Sequence, residues 1–403
     1  MRVTGDNEAE VLIAGGGPVG LTAALLLARA GISVAVLEQE PRISLDLRAS
    51  TFHPPTLDML ATLGLADKLV AEGIPCPHWQ IRLHPSGERA VFDLGVLAAE
   101  TRHPYRLQCE QWKLAMALSE ALAAEPRARI VFGARVASFQ AGDAGVDVAV
   151  ETAAGRQAWH ARFLIGADGA RSTVRSGLAM PFEGETYPET TLLVTTSVQF
   201  NAHLEGLSNV SYCWKDGGNF ALLRVPGRWR VSIYPREDIP VEDQLTAPAI
   251  EAALQVIVPR ARAYDIIEKR PYRVHQRIVP RYGAGRVWLA GDAAHLNSPT
   301  GGMGLNGGIH DAFELAAGLV DVLRAGAPLE RLALYDRRRR PVAAEQILAQ
   351  SDRNRARMRE RDPTRRREIL AGLQALTRDR AALHAYMLKT SMIEGLRQAA
   401  AIG

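Results

Sequence analysis

"EVLIAGGGPVGLTAALLLARAGISVAVLE", residues 10–38, reads as strand, tight turn, helix and strand. Val11 to Ala14 are uninterruptedly apolar, Pro18 stands where a first helical turn tolerates a missing amide hydrogen, and Gly31 is placed to end the helix. Within it "GGGPVG" sets Gly15, Gly17 and Gly20 at GxGxxG spacing. The first glycine permits the turn, the second lets a pyrophosphate approach the backbone, and the third lets helix pack close on strand. A phosphate there meets free N–H groups and the positive helix end. Glu38 closes the second strand about 20 residues on, where a carboxylate binds ribose hydroxyls. Glycine-rich turns also arise for packing reasons; the flanking elements and Glu38 favour a dinucleotide-binding βαβ unit and leave the dinucleotide open.

Two further strand-turn units share this grammar. "ARFLIGADGARSTVR" (161–175) and "GRVWLAGDAAH" (285–295) both end an apolar strand in a Gly/Ala/Asp cluster, and open α/β sheets bind ligands at such strand ends. In "GADGARS" and "AGDAAHLNSPTGGMGLN" a single acid, Asp168 or Asp292, sits among small residues. Each is a helix cap or an acceptor for ligand hydroxyls. After Gly304, the spacing of Leu305, Ile309, Ala312, Ala316, Leu319 and Leu323 predicts a long helix that Gly326 terminates. Between these units, Pro75 to Arg102 and Thr190 to Tyr234 alternate like strands. In "RWRVSIY", Trp229, Val231 and Ile233 share one face and Arg230, Ser232 and Tyr234 the other. An antiparallel sheet separate from the nucleotide fold is predicted.

With 403 residues, about half of them apolar, two or three domains and a large core are expected. The net charge of +4 is modest and its surplus lies between Arg337 and Arg367, so no nucleic-acid role is required. Cys76, Cys109 and Cys213 have no CxxC spacing, which argues against zinc and disulfides and fits a reducing cytoplasm. "MRVTGDNEAE" lacks an apolar leader and no run approaches the ~20 residues of a membrane span, so neither export nor membrane insertion is expected. No metal site is expected.

The three motifs, in this order and spacing up to about Tyr335, resemble the fingerprints of the single-component FAD-dependent aromatic hydroxylases, the p-hydroxybenzoate hydroxylase-like family. The fold this implies is α/β: a Rossmann-like FAD-binding domain (1–74, 103–180 and 281–330), an inserted antiparallel β-sheet substrate domain (75–102 and 181–280) and a helical C-terminal region (331–403). The resemblance implies FAD as cofactor with Gly15, Gly17, Pro18 and Gly20 at its pyrophosphate. It further implies Glu38 on the adenosine ribose, Arg48 at the pyrophosphate, Gln108 near the ribityl chain, and Asp168 in a motif tied to FAD and nicotinamide. Asp292 would bind ribityl hydroxyls or the pyrophosphate side, Pro299 would set its backbone beside substrate and flavin, and Gly304, Leu305 and Asn306 would face the ring. On spacing alone Arg48 is equally a solvated loop arginine. A flat isoalloxazine needs backbone at contact distance, hence the glycines, and a helix starting at Gly304 aims N–H groups at the ring edge that becomes negative on reduction.

The implied activity is hydroxylation of a phenolic, amino-aromatic or N-heteroaromatic substrate through a flavin C4a-hydroperoxide, with NADPH or NADH and dioxygen as co-substrates. Alternatives are a reductase, epoxidase or dehydrogenase on the same fold, and a non-catalytic FAD-binding module. A plain NAD dehydrogenase leaves Asp168 and Asp292 unexplained. On the substrate side, "SNVSYCWKDGGNFALLRVP" (208–226) offers Tyr212 as the catalytic group that polarises a hydroxyl, Trp214 to stack on a ring and Arg224 to bind a carboxylate. Each is otherwise ordinary sheet surface or core. Thr51, His53, His78 and Arg230 are further candidates, while His295 reads as part of a polar network. The arginine runs read as solvated helix faces, and the segment 381–400 as a cover over the substrate domain or a contact in a homodimer.

Overall fold

The computed structural model describes residues 7–45, 49–236 and 239–403. Strand β1 (Glu8–Ala14), helix α1 (Pro18–Arg29) and strand β2 (Val34–Glu38) form the expected unit, with Pro18 in the first helical turn and Gly31 at φ +77° beyond the helix. Beside β2 runs β3 (Ala128–Phe132); on the other side of β1 run β4 (Gly155–Gly166) and then β5 (Val287–Leu289). All five are parallel, and Val11 is in register with both Val34 and Phe163. Strands buried on both faces become continuous apolar runs. Leu12, Ile13, Leu164 and Ile165 accordingly have no exposed surface. Helix α2 (Gly304–Arg324) lies against α1 and covers the sheet with its Ile309, Leu315 and Leu319.

The second sheet has eight strands in the order His295–Leu296, Glu268–Ile278, Glu183–Thr196, Arg228–Ile233, Gly218–Val225, Val210–Lys215, His78–Leu83 and Arg89–Asp93. It is antiparallel except where Val210–Lys215 meets His78–Leu83 in parallel, a pairing that sets Tyr212 beside Ile81. The strand from the third motif, His295–Leu296, joins this sheet, so that motif leaves the first sheet and enters the second within a few residues. A short third sheet of Thr51–Phe52, Arg106–Gln108 and Ile74–Cys76 bridges the two.

The C-terminal region caps the second sheet. Helix Ala333–Val342 passes through a π-helical stretch, Ala343–Leu348, into Ala349–Arg359, followed by Pro363–Arg378, Arg380–Thr390 and Ile393–Ala400. Met358, Leu370, Leu373 and Met387 share a core with Trp79, Phe92 and Trp214. The arginine runs are not simply solvated, contrary to the sequence reading. Arg366 is 4% exposed and donates to the carbonyls of Glu360, Lys215 and Gly218, anchoring its helix to a hairpin of the sheet.

Arg339, 1% exposed, pairs with the fully buried Asp311 at 2.9 Å. The other oxygen of Asp311 accepts from His295 Nε2 at 2.7 Å and from the Gly291 amide at 3.2 Å, which pins α2 to the third motif. Burial alone raises the pKa of this carboxyl, but the facing His295 and Arg339 outweigh it and bring the pKa down to about 2. A carboxyl whose pKa is lower folded than unfolded contributes stability that is complete above the unfolded value and lost as pH falls through the folded one. Stability should therefore decline from about pH 3.8 toward pH 2 on account of this group. Asp311→Asn strands the Arg339 charge and should cost about 3–5 kcal/mol in urea unfolding at neutral pH, with the slope over that acid interval reduced; a loss under about 1 kcal/mol would contradict the pairing.

Candidate functional site

The three turns converge. A Cβ on Gly15, whose φ is +103°, would lie 2.4 Å from the carbonyl oxygen of Ala167, and the Ala167 amide donates to Ala14 O at 2.8 Å. The first motif thus touches the second through backbone. A Cβ on Gly308 would lie 2.6 Å from Val19 and 3.0 Å from the Cα of Gly291, which brings the third motif and α2 onto α1. Arg175 ties the second motif to the third, donating to Ala170 O at 2.8 Å and Ala293 O at 3.1 Å while stacking 3.9 Å over Phe182.

Within this cradle Gly17 has nothing within 4 Å of a would-be Cβ, whereas Gly20 packs so tightly that a Cβ would fall 2.1 Å from Gly15 O. Glu38 holds its carboxylate at the end of β2 by accepting from the amides of Gly16 at 2.5 Å and Glu40 at 2.8 Å. The amides of the first turn of α1 have no acceptor within the helix and point the same way. Asp292 is exposed in the short helical turn Gly291–Ala293. Arg48 lies outside the described residues.

Several sequence candidates have protein partners of their own. Both oxygens of Asp168 are engaged, by the Ser172 hydroxyl at 2.5 Å and the amides of Thr173 at 2.7 Å and Val174 at 3.2 Å, so this acid caps the helix Thr173–Gly177. The Asn306 side chain holds protein partners: its oxygen accepts from His53 N, and its nitrogen donates to Thr51 O and Gly302 O. Gln108 has no exposed surface and donates to the Thr51 hydroxyl at 2.9 Å; Ser50 links it to Arg230, which is 6% exposed rather than solvent-facing. Gly304 and Leu305 stand half-buried at the start of α2.

Where the turn Pro299–Gly302 meets the second sheet, a small cavity opens between Trp79, Ile81, Arg106, Tyr212, Met303 and the capping helices, which contribute Arg357, Met358 and Tyr386. Tyr212 stands edge-on to Trp79 at 6.1 Å. Thr300 and Gly301 line the cavity, while Pro299 is exposed and its carbonyl accepts from Gly302 N at 3.0 Å. Trp214 is core: it has no exposed surface and its indole donates to Arg357 O at 3.2 Å. Arg224 reaches toward Asn209 at 3.5 Å, and His78 is exposed beside Asp93; neither lines the cavity. Arg106, Arg357 and Tyr386 escaped the sequence reading, although Arg106 lies two residues from Gln108 in "YRLQCEQ".

His53 is fully buried at the rim, its Nε2 2.8 Å from Gly301 O. Burial first, and the nearby Arg106 charge second, push its pKa down to about 3, so it is neutral at physiological pH and donates from Nε2. His310, 2% exposed, bonds the Thr56 hydroxyl and is likewise held neutral by burial.

Two parallel-sheet turns and a crossing helix N-terminus that leave a gap over glycine, next to a cavity under a second sheet, define the class of dinucleotide-binding α/β enzymes. Residues 8–351 match the family described as FAD binding domain, and the chain belongs to it. It is 35% identical over 393 residues to para-nitrophenol 4-monooxygenase from Pseudomonas sp. strain WBC-3, covering 96% of each chain. It is also 35% identical to 6-hydroxy-3-succinoylpyridine 3-monooxygenase from Pseudomonas putida, over 82% of this chain and 84% of that one. Among solved structures, a p-nitrophenol 4-monooxygenase from Pseudomonas putida DLL-E4 superposes with a TM-score of 0.89 at 32% identity, covering 97% of this chain and 98% of the other. An aklavinone-11 hydroxylase complex with FAD and aklavinone gives 0.78 at 30% identity over 88% and 70%. The protein is an FAD-dependent monooxygenase.

Two outcomes follow from the geometry. Gly17→Ala should leave the apoprotein's thermal midpoint unchanged and weaken FAD binding on the order of tenfold, read by flavin fluorescence, while Gly20→Ala should lower the midpoint itself. The His53 ring should stay neutral by NMR from pH 8 to pH 5. Because its folded pKa of about 3 is below the ordinary 6.5, its contribution to stability is complete above pH 6.5 and declines as pH falls toward 3.

Proposed function

We propose that the protein hydroxylates a small phenolic, amino-aromatic or N-heteroaromatic ring at the expense of dioxygen and NADPH or NADH. The carrying observation is the cavity walled by Trp79, Tyr212 and Met303 against the turn that begins at Pro299, one residue layer from the start of α2. Support comes from the relatives, whose names specify hydroxylated rings, para-nitrophenol and 6-hydroxy-3-succinoylpyridine.

The residues present fit FAD. Gly15, Gly17, Pro18 and Gly20 would take the pyrophosphate at the N-terminus of α1, with Glu38 accepting from the adenosine ribose. Asp292 would accept from hydroxyls further along, and the amides of Gly304 and Leu305 would face the ring at the positive end of α2. When bound, the cofactor carries reducing equivalents from the nicotinamide and supplies the oxygen-transfer chemistry. The chain's own residues do the rest. The backbone of Pro299 to Gly301 walls the ring, Met303 and the C-terminal helices exclude water, and the Tyr212 hydroxyl donates a hydrogen bond to the substrate's hydroxyl oxygen, stabilising negative charge that develops there.

Purified holoenzyme should oxidise NADPH or NADH faster with a hydroxylated aromatic present, and one atom of labelled dioxygen should enter the product. Coenzyme oxidation that yields only hydrogen peroxide across a panel of phenols and hydroxypyridines would overturn the reading. Tyr212→Phe should lower kcat by about 10²-fold or more while leaving the flavin content unchanged.

A further inference from the structure

The turn between the third motif and α2 contains a peptide bond joining two glycines at positive φ, Gly301 at +111° and Gly302 at +67°. With no Cβ on either side, such a peptide plane can turn over at low steric cost, so hydrogen bonds must fix its orientation. Within the turn the Gly302 amide donates to Pro299 O at 3.0 Å. The Gly301 carbonyl accepts from His53 Nε2 at 2.8 Å, and from no other donor among the described residues. The backbone amide of His53 donates to Asn306 Oδ1 at 2.8 Å, and Asn306 Nδ2 donates to Gly302 O at 2.7 Å. One residue therefore secures both glycine carbonyls, the first by its ring and the second through Asn306. His53 has no exposed surface, and among the described residues its Nδ1 meets no hydrogen-bond partner. A proton on Nδ1 would be a buried, unsatisfied donor, in keeping with a ring that burial and the Arg106 charge hold neutral. The single hydrogen bond of the ring is the one to Gly301.

We propose that His53 is the positioning residue of the Pro299–Gly302 turn: its Nε2–H locks the Gly301–Gly302 peptide in one orientation, and with it the Pro299 carbonyl and the wall that the turn presents to the flavin. This rests on the reading above that the turn walls the ring, and it names the residue that makes a pair of glycines rigid enough to do so. Glycine lets backbone come close to a flat ligand, and its drawback is mobility. A buried donor aimed at the one carbonyl that could swing removes that mobility without adding a side chain to the wall. A leucine would fill the same space and leave the Gly301 carbonyl without a donor.

The test compares wild-type holoenzyme with His53→Gln, whose amide nitrogen has the reach of Nε2, and His53→Leu, which keeps the bulk and lacks the donor. His53→Asn, an amide too short for Gly301, takes the place of the leucine variant should that one not fold. Crystal structures report the direction of the Gly301 carbonyl, flavin fluorescence reports FAD affinity, and the visible spectrum reports the surroundings of the ring. In the donorless variant the carbonyl should leave its wild-type direction, FAD affinity should fall about tenfold and the flavin bands should shift. His53→Gln should restore the carbonyl and bring FAD affinity back to within about threefold of wild type. A donorless variant with the wild-type carbonyl direction and affinity would overturn the proposal. A glutamine variant as impaired as the leucine one would do the same, because ring packing and not the donor would then hold the turn. A turned carbonyl with unchanged FAD affinity and spectrum leaves the lock standing and removes the turn from the flavin's wall. An unturned carbonyl in a variant that still hydroxylates removes the lock and leaves the hydroxylase reading intact.

Discussion

Backbone brought against backbone at the ends of parallel strands is the constraint on which the molecule depends. Gly15 can hold φ +103° and lie against Ala167 only because it has no Cβ, and Gly308 lets α2 close on Gly291 and Val19 for the same reason. Methyl groups at those two positions would part the first motif from the second and lift α2 from α1. The open space over Gly17 exists because its neighbours are packed to contact. Arg175 and Asp311 then lock the turns laterally, one through two carbonyls and the other through His295, Arg339 and the Gly291 amide.

Those turns were legible in the sequence because their chemistry is local: glycine, a single acid and an apolar strand within a dozen residues. The rest depended on partners far away in the chain. Asp168 read equally as a cap or a ligand, and only the positions of Ser172, Thr173 and Val174 resolve it toward capping. Trp214 stands in an alternating strand, but alternation identifies an outer face only if one face meets water; here the C-terminal helices cover that face and the indole becomes core. A run of arginines looks solvated until Asp311 or the carbonyls of Lys215 and Gly218 are placed beside it. The parallel pairing of His78–Leu83 with Val210–Lys215 has no short-range signal. It fixes the cavity wall nonetheless, because it sets Ile81 next to Tyr212.

The capping helices therefore belong to the site as well as to the fold. Arg357, Met358 and Tyr386 reach the cavity from two of them, and the carbonyls of Arg357 and Met358 accept from Trp214 and Asn219 in the sheet below. The helix that carries Arg357 follows a π-helical stretch, a local widening that shifts the phase of every later side chain.

Two guanidiniums buried to nearly the same degree separate architecture from chemistry. Arg339, 1% exposed, has the carboxylate of Asp311 at 2.9 Å, and the pair holds two helices and a turn together. Arg106, 3% exposed, has an indole face and tyrosine hydroxyls. Desolvation costs the two alike, so the difference lies in what repays it. For Arg339 the counter-charge is built into the chain and present at all times. For Arg106 no carboxylate pairs with it among the described residues, and the Trp79 ring face and the cavity lie beside it instead. His53 nearby is neutral chiefly because it is buried, with the Arg106 charge adding to that.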